Sequence, residues 1–86
     1  MRLDALLADA PLPAAPEVAG AAASDVDVRD VVMDSRAASP GALFCCVRGS
    51  RVDGHDLAPV AVDAGAVALL CERFVDVAVA QARVPN

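Results

Sequence analysis

VVMDSRAASPGALFCCVRGSRVDGHD, residues 31–56, decides the fold, because two short apolar runs in it are each followed by polar and turn-forming residues. Residues 31–33 have the character of a strand end, and residues 43–47, LFCCV, are typical of a strand buried on both faces. Pro40-Gly41 predicts a turn between them, since Pro presets φ at the first central position and Gly accepts a positive φ at the second. Polar loops then follow both strands. If the strands are parallel neighbours, these loops meet at one edge of the sheet, where α/β proteins usually bind ligands.

The segments before this stretch predict a helix, a connection and a strand. Leu3, Leu6 and Leu7 have the i, i+3, i+4 spacing of a short amphipathic helix. Residues 11–24 are rich in Ala, Pro and Gly without any period, which is typical of an irregular connection. Residues 25–32 begin with polar and apolar residues in alternation, as in a half-buried strand.

The segments after it predict a helix and a further strand. Asp53 or Asp56 can cap a helix that runs to Ala64, and Gly65 stands where a helix C′ residue belongs. Residues 66–71 form a clean apolar run suited to a buried strand. Strand, loop, helix and strand thus follow in the order of a βαβ unit.

These elements predict a single α/β domain over residues 1–86, with a small mixed or mostly parallel sheet and flanking helices. Residues 1–24 supply the helix and the connection, and residues 25–86 supply the α/β core. Residues 74–86 show only partial alternation and predict no definite element.

Composition limits the function. The net charge is −5 and the seven cations are all Arg without a run, which argues against nucleic-acid binding by clustered phosphate contacts. No apolar run approaches the length of about 20 residues that spans a bilayer, and the N-terminus lacks the basic-then-apolar order of a secretory signal. We therefore predict a cytoplasmic protein that contacts neither membrane nor nucleic acid.

The cysteines and the histidine leave two alternatives open. Cys45, Cys46 and Cys71 are odd in number and form no C-x-x-C, so we expect buried free thiols. A Cys46/His55 nucleophile pair, or a small thiol enzyme using Cys46 or Cys71, is the first alternative. His55 between two aspartates is the second, as a metal ligand or an oriented base, against the simpler interpretation of a hydrogen-bonded loop histidine.

Four pieces in order carry a family resemblance: D-S-R at 34–36, P-G-x-L-F at 40–44, R-G-S-R-V-D-G-H-D at 48–56 and D-A-G-A-V-A-L-L at 63–70. Together they resemble the N-terminal domain of the Mur ligases. The MurE type is the most similar, a UDP-N-acetylmuramoyl-L-alanyl-D-glutamate ligase that adds the third residue of the peptidoglycan stem peptide. The MurF type, which adds the terminal dipeptide, shares much of the pattern. The resemblance runs from about Leu3 to Pro85 and is strongest from Met33 to Leu70.

The resemblance implies which residues recognise the uridine diphosphate end of the substrate. In the family the contacts lie around D-S-R and just after the glycine of the second strand. On this sequence they map onto Met33, Ser35, Ser50, Arg51 and Val52. The chemistry is consistent, because backbone groups can read the carbonyl and N–H groups of uracil while an Arg fork suits a diphosphate. We expect Asp34 and Arg36 to be a structural pair or loop anchors instead.

The resemblance also implies a reaction whose ATP-binding motif is absent from this sequence. The family activates a carboxylate with ATP and Mg²⁺, which requires a phosphate-binding Gly-rich loop with a Lys, and this chain has no G-x-x-x-x-G-K-[ST] and no Lys. We therefore expect no catalytic or metal-binding residue here. The expected protein is the monomeric UDP-binding domain of a longer ligase, without its central ATPase and C-terminal domains and with UDP-N-acetylmuramoyl-dipeptide as substrate. A MurF-type domain and a free-standing α/β binding module are the alternatives.

Overall fold

The computed structural model describes residues 1–9, 16–20, 23–46 and 53–84 of the chain. Two α-helices and five strands make up the regular structure of these residues. In chain order they are α1 (Leu3–Asp9), β1 (Glu17–Ala19), β2 (Asp30–Val32), β3 (Ala42–Cys45), α2 (Ala58–Asp63), β4 (Ala68–Cys71) and β5 (Ala80–Arg83). Three 3₁₀ turns, Ala23–Asp25, Ser35–Ala37 and Gly54–Leu57, lie between them.

The strands form one mostly parallel sheet in the order β1-β5-β4-β3-β2. β2 pairs with β3, β3 with β4 and β4 with β5 in parallel, and β1 runs antiparallel to β5 at the far edge. In the register of these strands, Val32 lies opposite Phe44, and Phe44 lies opposite Leu69. The predicted mixed or mostly parallel sheet is confirmed, and β3, α2 and β4 form the predicted βαβ unit.

Each face of the sheet has its own apolar core. Phe44, Leu69 and Cys71 pack with Ala58 and Ala61 of α2 on one face. On the other face, α1 packs against the sheet in a cluster of Leu3, Val26, Val28, Leu43, Ala68 and Ala80. Most side chains in both cores are Ala or Val, so the layers approach closely and Phe44 is the largest fully buried side chain.

Two glycines shape the end of the sheet opposite the carboxyl ends of the parallel strands. Gly41 has φ +90° and follows Pro40 in a turn closed by a 3.0 Å bond from the Ala42 N–H to the Ser39 carbonyl. This is the predicted Pro-Gly turn. Gly65 has φ +111° just after α2, as predicted for a C′ residue, and its carbonyl accepts from the Gly41 N–H at 3.1 Å.

The segment before β3 differs from the prediction in two places. The predicted strand at residues 25–32 is wrong in its first half, since β2 begins only at Asp30. Residues 26–28 are instead paired with the N-terminus, where Leu3 N–H donates to the Val26 carbonyl at 2.8 Å and Val28 N–H to the Met1 carbonyl at 2.7 Å. The alternation is real, because Val26 and Val28 are buried against α1. The alternation in this segment reflects which side chains are buried, and the segment does not belong to the main sheet.

β1 lies within residues 11–24, which the sequence predicts to be an irregular connection. That prediction is wrong for Glu17–Ala19, which pair with β5. Glu17 and Val18 are exposed, so this edge strand leaves no alternating pattern in the sequence. β5 itself, Ala80–Arg83, lies in the region for which the sequence predicts no definite element.

The start of α2 shows which of the two predicted capping residues, Asp53 or Asp56, is correct. The Asp53 carboxylate accepts the His55 N–H at 3.0 Å and caps the 3₁₀ turn Gly54–Leu57, from which the chain passes directly into α2. Asp53 is therefore the capping residue, and Asp56 as a cap is wrong. Leu57 precedes α2 without a side-chain cap, and Pro59 lies in the first turn, where a missing N–H is tolerated.

Candidate functional site

One edge of the sheet collects the segments that follow the parallel strands. Because β2, β3, β4 and β5 are parallel, their carboxyl ends lie at the same edge. Residues 33–36 follow β2, Cys46 follows β3, and residues 72–73 follow β4. We call this the carboxyl edge, and it is where an α/β sheet offers a ligand site.

Met33 and Ser35 lie at the carboxyl edge directly after β2. Met33 is 67% exposed, so its thioether side chain presents an apolar surface at this edge. Ser35 is buried in its 3₁₀ turn, yet none of the hydrogen bonds within the described part of the chain uses its hydroxyl. Every fully buried polar side-chain atom of the described residues does have a partner, so the Ser35 hydroxyl still reaches solvent. It is available to a ligand as donor and acceptor.

Asp34 and Arg36 form an ion pair on either side of Ser35. Arg36 donates through Nε to Asp34 Oδ1 at 3.1 Å and through Nη2 to Oδ2 at 2.8 Å. Asp34 Oδ1 also accepts the Arg36 backbone N–H at 2.9 Å and so caps the 3₁₀ turn that carries Ser35. The predicted structural pair is confirmed. Its role is to fix the backbone around Ser35.

The pair predicts an unusual titration for Asp34. The Arg36 side chain first, and then the Arg36 N–H, lower the pKa of the Asp34 carboxyl to about 2. A depressed folded-state pKa stabilises the fold above the unfolded value of 3.8, and that contribution is lost as the pH falls toward 2. We expect NMR titration of the Asp34 carboxyl carbon to give a midpoint near 2, and Arg36→Gln to raise it toward 3.8. An unchanged midpoint in Arg36→Gln would contradict this assignment.

The second predicted group, Ser50, Arg51 and Val52, lies outside the described residues and stays a prediction. The residues on both sides of it are described. Before it, the Cys46 N–H donates to the Leu70 carbonyl of β4 at 2.8 Å. After it, Asp53 accepts from Arg73, which follows β4, with Nη2 to Oδ2 at 3.1 Å.

His55 is buried, with 2% of its surface exposed, and both ring nitrogens have partners. Nε2 accepts the Glu72 N–H at 3.0 Å, so the ring proton lies on Nδ1, which is 2.6 Å from Asp53 Oδ1 and donates to it. The interpretation as a hydrogen-bonded loop histidine is confirmed. Neither nitrogen is left for a metal ion, a base or a thiol. The His55 backbone N–H and then its ring lower the pKa of the Asp53 carboxyl.

Sequence reasoning missed Glu72 and Arg73 as partners of this loop. Glu72 lies 17 residues from His55 and Arg73 lies 20 residues from Asp53. Contacts this distant depend on the parallel pairing of β3 with β4, so the local sequence contains no signal for them.

The cysteines are free thiols, as predicted. Cys46 and Cys71 are buried in the α2-side core and Cys45 is half-buried. Burial raises the pKa of the Cys46 thiol to about 12 and raises the pKa of Cys45 and Cys71 as well. A thiol nucleophile needs the opposite shift, toward the thiolate, so the thiol-enzyme alternative has no support. Among residues 1–9, 16–20, 23–46 and 53–84, no group of three or more acidic, His or Cys residues is placed to hold a metal ion.

The helices are short. In the described ranges, none has both the length and the apolar character needed to cross a bilayer.

A mostly parallel sheet with helices on both faces defines a small α/β domain. Residues 27–86 match the family model described as "Mur ligase family, catalytic domain". The chain belongs to the Mur ligase family, which confirms the resemblance of its four motifs.

Two curated relatives and one solved structure give the details. The chain is 44% identical to a UDP-N-acetylmuramoyl-L-alanyl-D-glutamate--2,6-diaminopimelate ligase of Listeria innocua over 77% of its own length and 13% of the relative's. It is 50% identical to the ligase of the same name from Geobacillus thermodenitrificans over 70% of its length and 12% of the relative's. MurF from Acinetobacter baumannii is similar in structure, with a TM-score of 0.63 and 32% identity over 66% of this chain and 13% of that one. The chain thus spans about one eighth of the length of the curated relatives it matches.

Proposed function

We propose that this chain is the UDP-recognising domain of a longer, ATP-dependent MurE-type ligase. The ligase would add the third amino acid to UDP-N-acetylmuramoyl-L-alanyl-D-glutamate in peptidoglycan synthesis. The carboxyl edge is the observation that carries the proposal, since it brings together exposed Met33, the unbonded Ser35 hydroxyl and the end of β3. The names of the relatives support the substrate. The proposal includes a cytoplasmic location and a monomeric chain.

The chemistry of the edge fits a uridine nucleotide. Met33 offers an exposed apolar surface for the flat face of a base, and the Ser35 hydroxyl can donate to a carbonyl or accept from an N–H. The Asp34 carboxylate caps the turn that carries Ser35 by accepting the Arg36 backbone N–H, so the turn is formed without ligand and binding requires less ordering there. Ser50, Arg51 and Val52 are the proposed contacts to the diphosphate and the rest of the base.

ATP and Mg²⁺ belong to other parts of the proposed ligase. The chain has no Lys and no Walker-type loop, and the described ranges contain no cluster of metal ligands. These residues therefore do not fit the phosphates of ATP or Mg²⁺. We propose that a central ATPase domain and a C-terminal domain supply the chemistry, while this domain anchors the nucleotide end of the substrate.

A MurF-type ligase is the second candidate, because the solved structures similar to this chain include MurF at 32% identity. The relatives at 44% and 50% identity are both named as diaminopimelate-adding ligases, which favours the MurE type. Assay of the full-length ligase separates the two: a MurE-type enzyme consumes the UDP-linked dipeptide substrate, and a MurF-type enzyme consumes the next intermediate and a dipeptide.

The proposed site predicts that the chain binds UDP in preference to ADP. Ser35→Ala should weaken UDP binding by about 0.5–1.5 kcal/mol if its hydroxyl makes one neutral hydrogen bond to the ligand. Arg51→Ala should weaken it by about 1.5–3 kcal/mol if its guanidinium meets a phosphate. The measurement is an NMR titration with UDP in which binding is monitored through the amide shifts of Met33 to Arg36 and Ser50 to Val52.

Two controls test whether the UDP response is specific to the proposed site. Ser39→Ala changes an exposed serine at the opposite end of the sheet and should leave UDP binding unchanged. ADP in place of UDP tests base selectivity with the same diphosphate. Equal responses to the two nucleotides, or shifts confined to other parts of the chain, would reject the proposed site.

A further inference from the structure

We propose that Cys46 and Cys71 form a binding site for one soft, thiophilic divalent metal ion that accepts two ligands in line, such as Hg²⁺. The ion would connect the chain just after β3 to the last residue of β4. This site does not depend on the proposed nucleotide contacts. Its chemistry also differs from that of Mg²⁺, which takes oxygen ligands, whereas thiolate sulfur selects soft ions.

The pairing of β3 with β4 places the two cysteines opposite each other. Cys45 lies opposite Leu70 in the parallel register. The Cys46 N–H donates to the Leu70 carbonyl at 2.8 Å, so the next residue of each strand continues this register and Cys46 meets Cys71. Both belong to the core on the α2 side, with 7% and 2% of their surfaces exposed. The two thiols therefore leave neighbouring strands on the same face of the sheet.

The spacing of the strands suits a metal ion better than a disulfide. Directly opposite residues of neighbouring strands are separated by roughly 4.8 Å. A disulfide requires its two Cβ atoms to lie within about 3.5–4.5 Å of each other, so it would draw the strands together. Metal–thiolate bonds of about 2.3 Å place the two sulfurs of a linear S–M–S unit roughly 4.6 Å apart. Two Cβ–Sγ bonds that leave adjacent strands side by side have nearly this separation, so the ion fits without moving the backbone.

The apolar surroundings select a divalent ion with two ligands. Binding breaks two S–H bonds, forms two S–M bonds and releases two protons to solvent, without transfer of electrons. Two thiolates and a divalent ion make a neutral unit, whereas a monovalent ion would leave a net negative charge in the core, which is costly. Zn²⁺ is divalent but prefers four ligands, and the described residues place no third His, Cys or acidic ligand here.

The free thiols give up little when the ion binds. The Cys71 Sγ donates to the Ala82 carbonyl of β5 at 3.6 Å, and a thiol is a weak donor, so turning the sulfur toward β3 costs little. Burial raises the pKa of the Cys46 thiol to about 12, which keeps the pair protonated in the absence of metal. The ion must therefore displace both protons, and their release is a direct measure of two-thiolate binding.

Titration of the 86-residue chain with mercuric chloride tests the proposal. We expect wild type to bind one ion per chain, to release two protons and to show thiolate-to-metal charge-transfer absorption. The far-UV circular dichroism of the folded chain should be retained. The ion should also stay bound against about a hundredfold excess of a monothiol, because two thiols fixed side by side have a high effective concentration.

Three single cysteine-to-alanine variants form a matched set, because each keeps two of the three thiols. Cys45→Ala keeps the opposing pair, since neighbouring residues of a strand point to opposite faces, and should hold the ion as wild type does. Cys46→Ala and Cys71→Ala keep two thiols that do not face each other. They should bind the ion at least about a hundredfold more weakly and lose it to the monothiol.

Four results would overturn the inference: loss of the ion from Cys45→Ala, its retention by Cys46→Ala or Cys71→Ala, release of fewer than two protons, or unfolding of wild type on binding. Rapid formation of a disulfide between Cys46 and Cys71 in the folded chain with oxidised glutathione would contradict the spacing argument and overturn it too. If the core variants do not fold, X-ray absorption of the wild-type complex decides, with two sulfurs at one distance expected and any other ligand set against the proposal.

Discussion

Replacing Phe44 with alanine is expected to lower the free energy of unfolding by about 3–5 kcal/mol. Phe44 is the largest fully buried side chain, at 1% exposure in β3, between β2 and β4. Its neighbours include Ala58 and Ala61 of α2, whose short side chains cannot extend into the space that the ring would leave. The cavity would therefore stay largely open, which places the cost toward the upper end of that range.

Urea unfolding measures this effect, followed by far-UV circular dichroism because the chain has no Trp or Tyr. Phe74→Ala is the matched control, since the second phenylalanine is 41% exposed and has Arg83 over its ring at 5.4 Å. It should cost only about 1 kcal/mol. If Phe44→Ala does not fold at all, Phe44→Leu gives a smaller loss that remains measurable. Equal losses for Phe44→Ala and Phe74→Ala would contradict the packing described for β3.

Gly65→Ala is expected to destabilise the fold by about 2–5 kcal/mol through two separate effects. The first is backbone strain, because φ is +111° at this position. The second is a clash, since a Cβ would lie 2.7 Å from both Cα and N of Pro40. These are backbone atoms of a turn, and the bond from the Gly41 N–H to the Gly65 carbonyl holds that turn against the end of α2. The clash can therefore be relieved only by moving the turn away.

Gly41→Ala separates the two effects in the same unfolding experiment. Gly41 also has a positive φ, +90°, but its Cβ would meet side-chain atoms of exposed Arg29, Cδ, Cγ and Cβ at 2.9, 3.0 and 3.2 Å, and no backbone atom. It should show the strain of about 1–2 kcal/mol and a smaller clash than Gly65→Ala. A Gly65→Ala loss no greater than that of Gly41→Ala would mean that the Pro40 contact adjusts without cost.

The parts of the fold that were predictable are those specified by residues close together in sequence. The Pro40-Gly41 turn, the glycine after α2 and the Asp34–Arg36 pair each involve groups within a few residues of one another. The parallel pairing of β3 with β4 follows from two apolar runs separated by a helix. For β2 and β3 the sequence left the direction of pairing open. Local propensity and burial point the same way in these segments, so they can be assigned without a structure.

The parts that were not predictable depend on partners distant in sequence or on exposed residues. β1 is an edge strand with an exposed valine and glutamate, and its pairing with β5 supplies the only reason for it to be extended. Val26 and Val28 alternate like strand residues, yet their backbone partner is the N-terminus. In the candidate site, Met33 and Ser35 could be named only through family resemblance. The exposure of Met33 and the unbonded hydroxyl of Ser35 are properties of the folded edge.

The pairing of β1 with β5 also bears on the order in which the molecule folds and opens. Glu17 and Arg83, joined by an ion pair across these strands, are 66 residues apart, whereas the parallel pairs from β2 to β5 join segments much closer in sequence. Closing the longest loop costs the most chain entropy, and a three-residue edge strand makes few contacts that could offset this cost. We therefore expect β1 to dock after the parallel sheet has formed, and to detach first in partial openings that leave β2, β3 and the carboxyl edge intact.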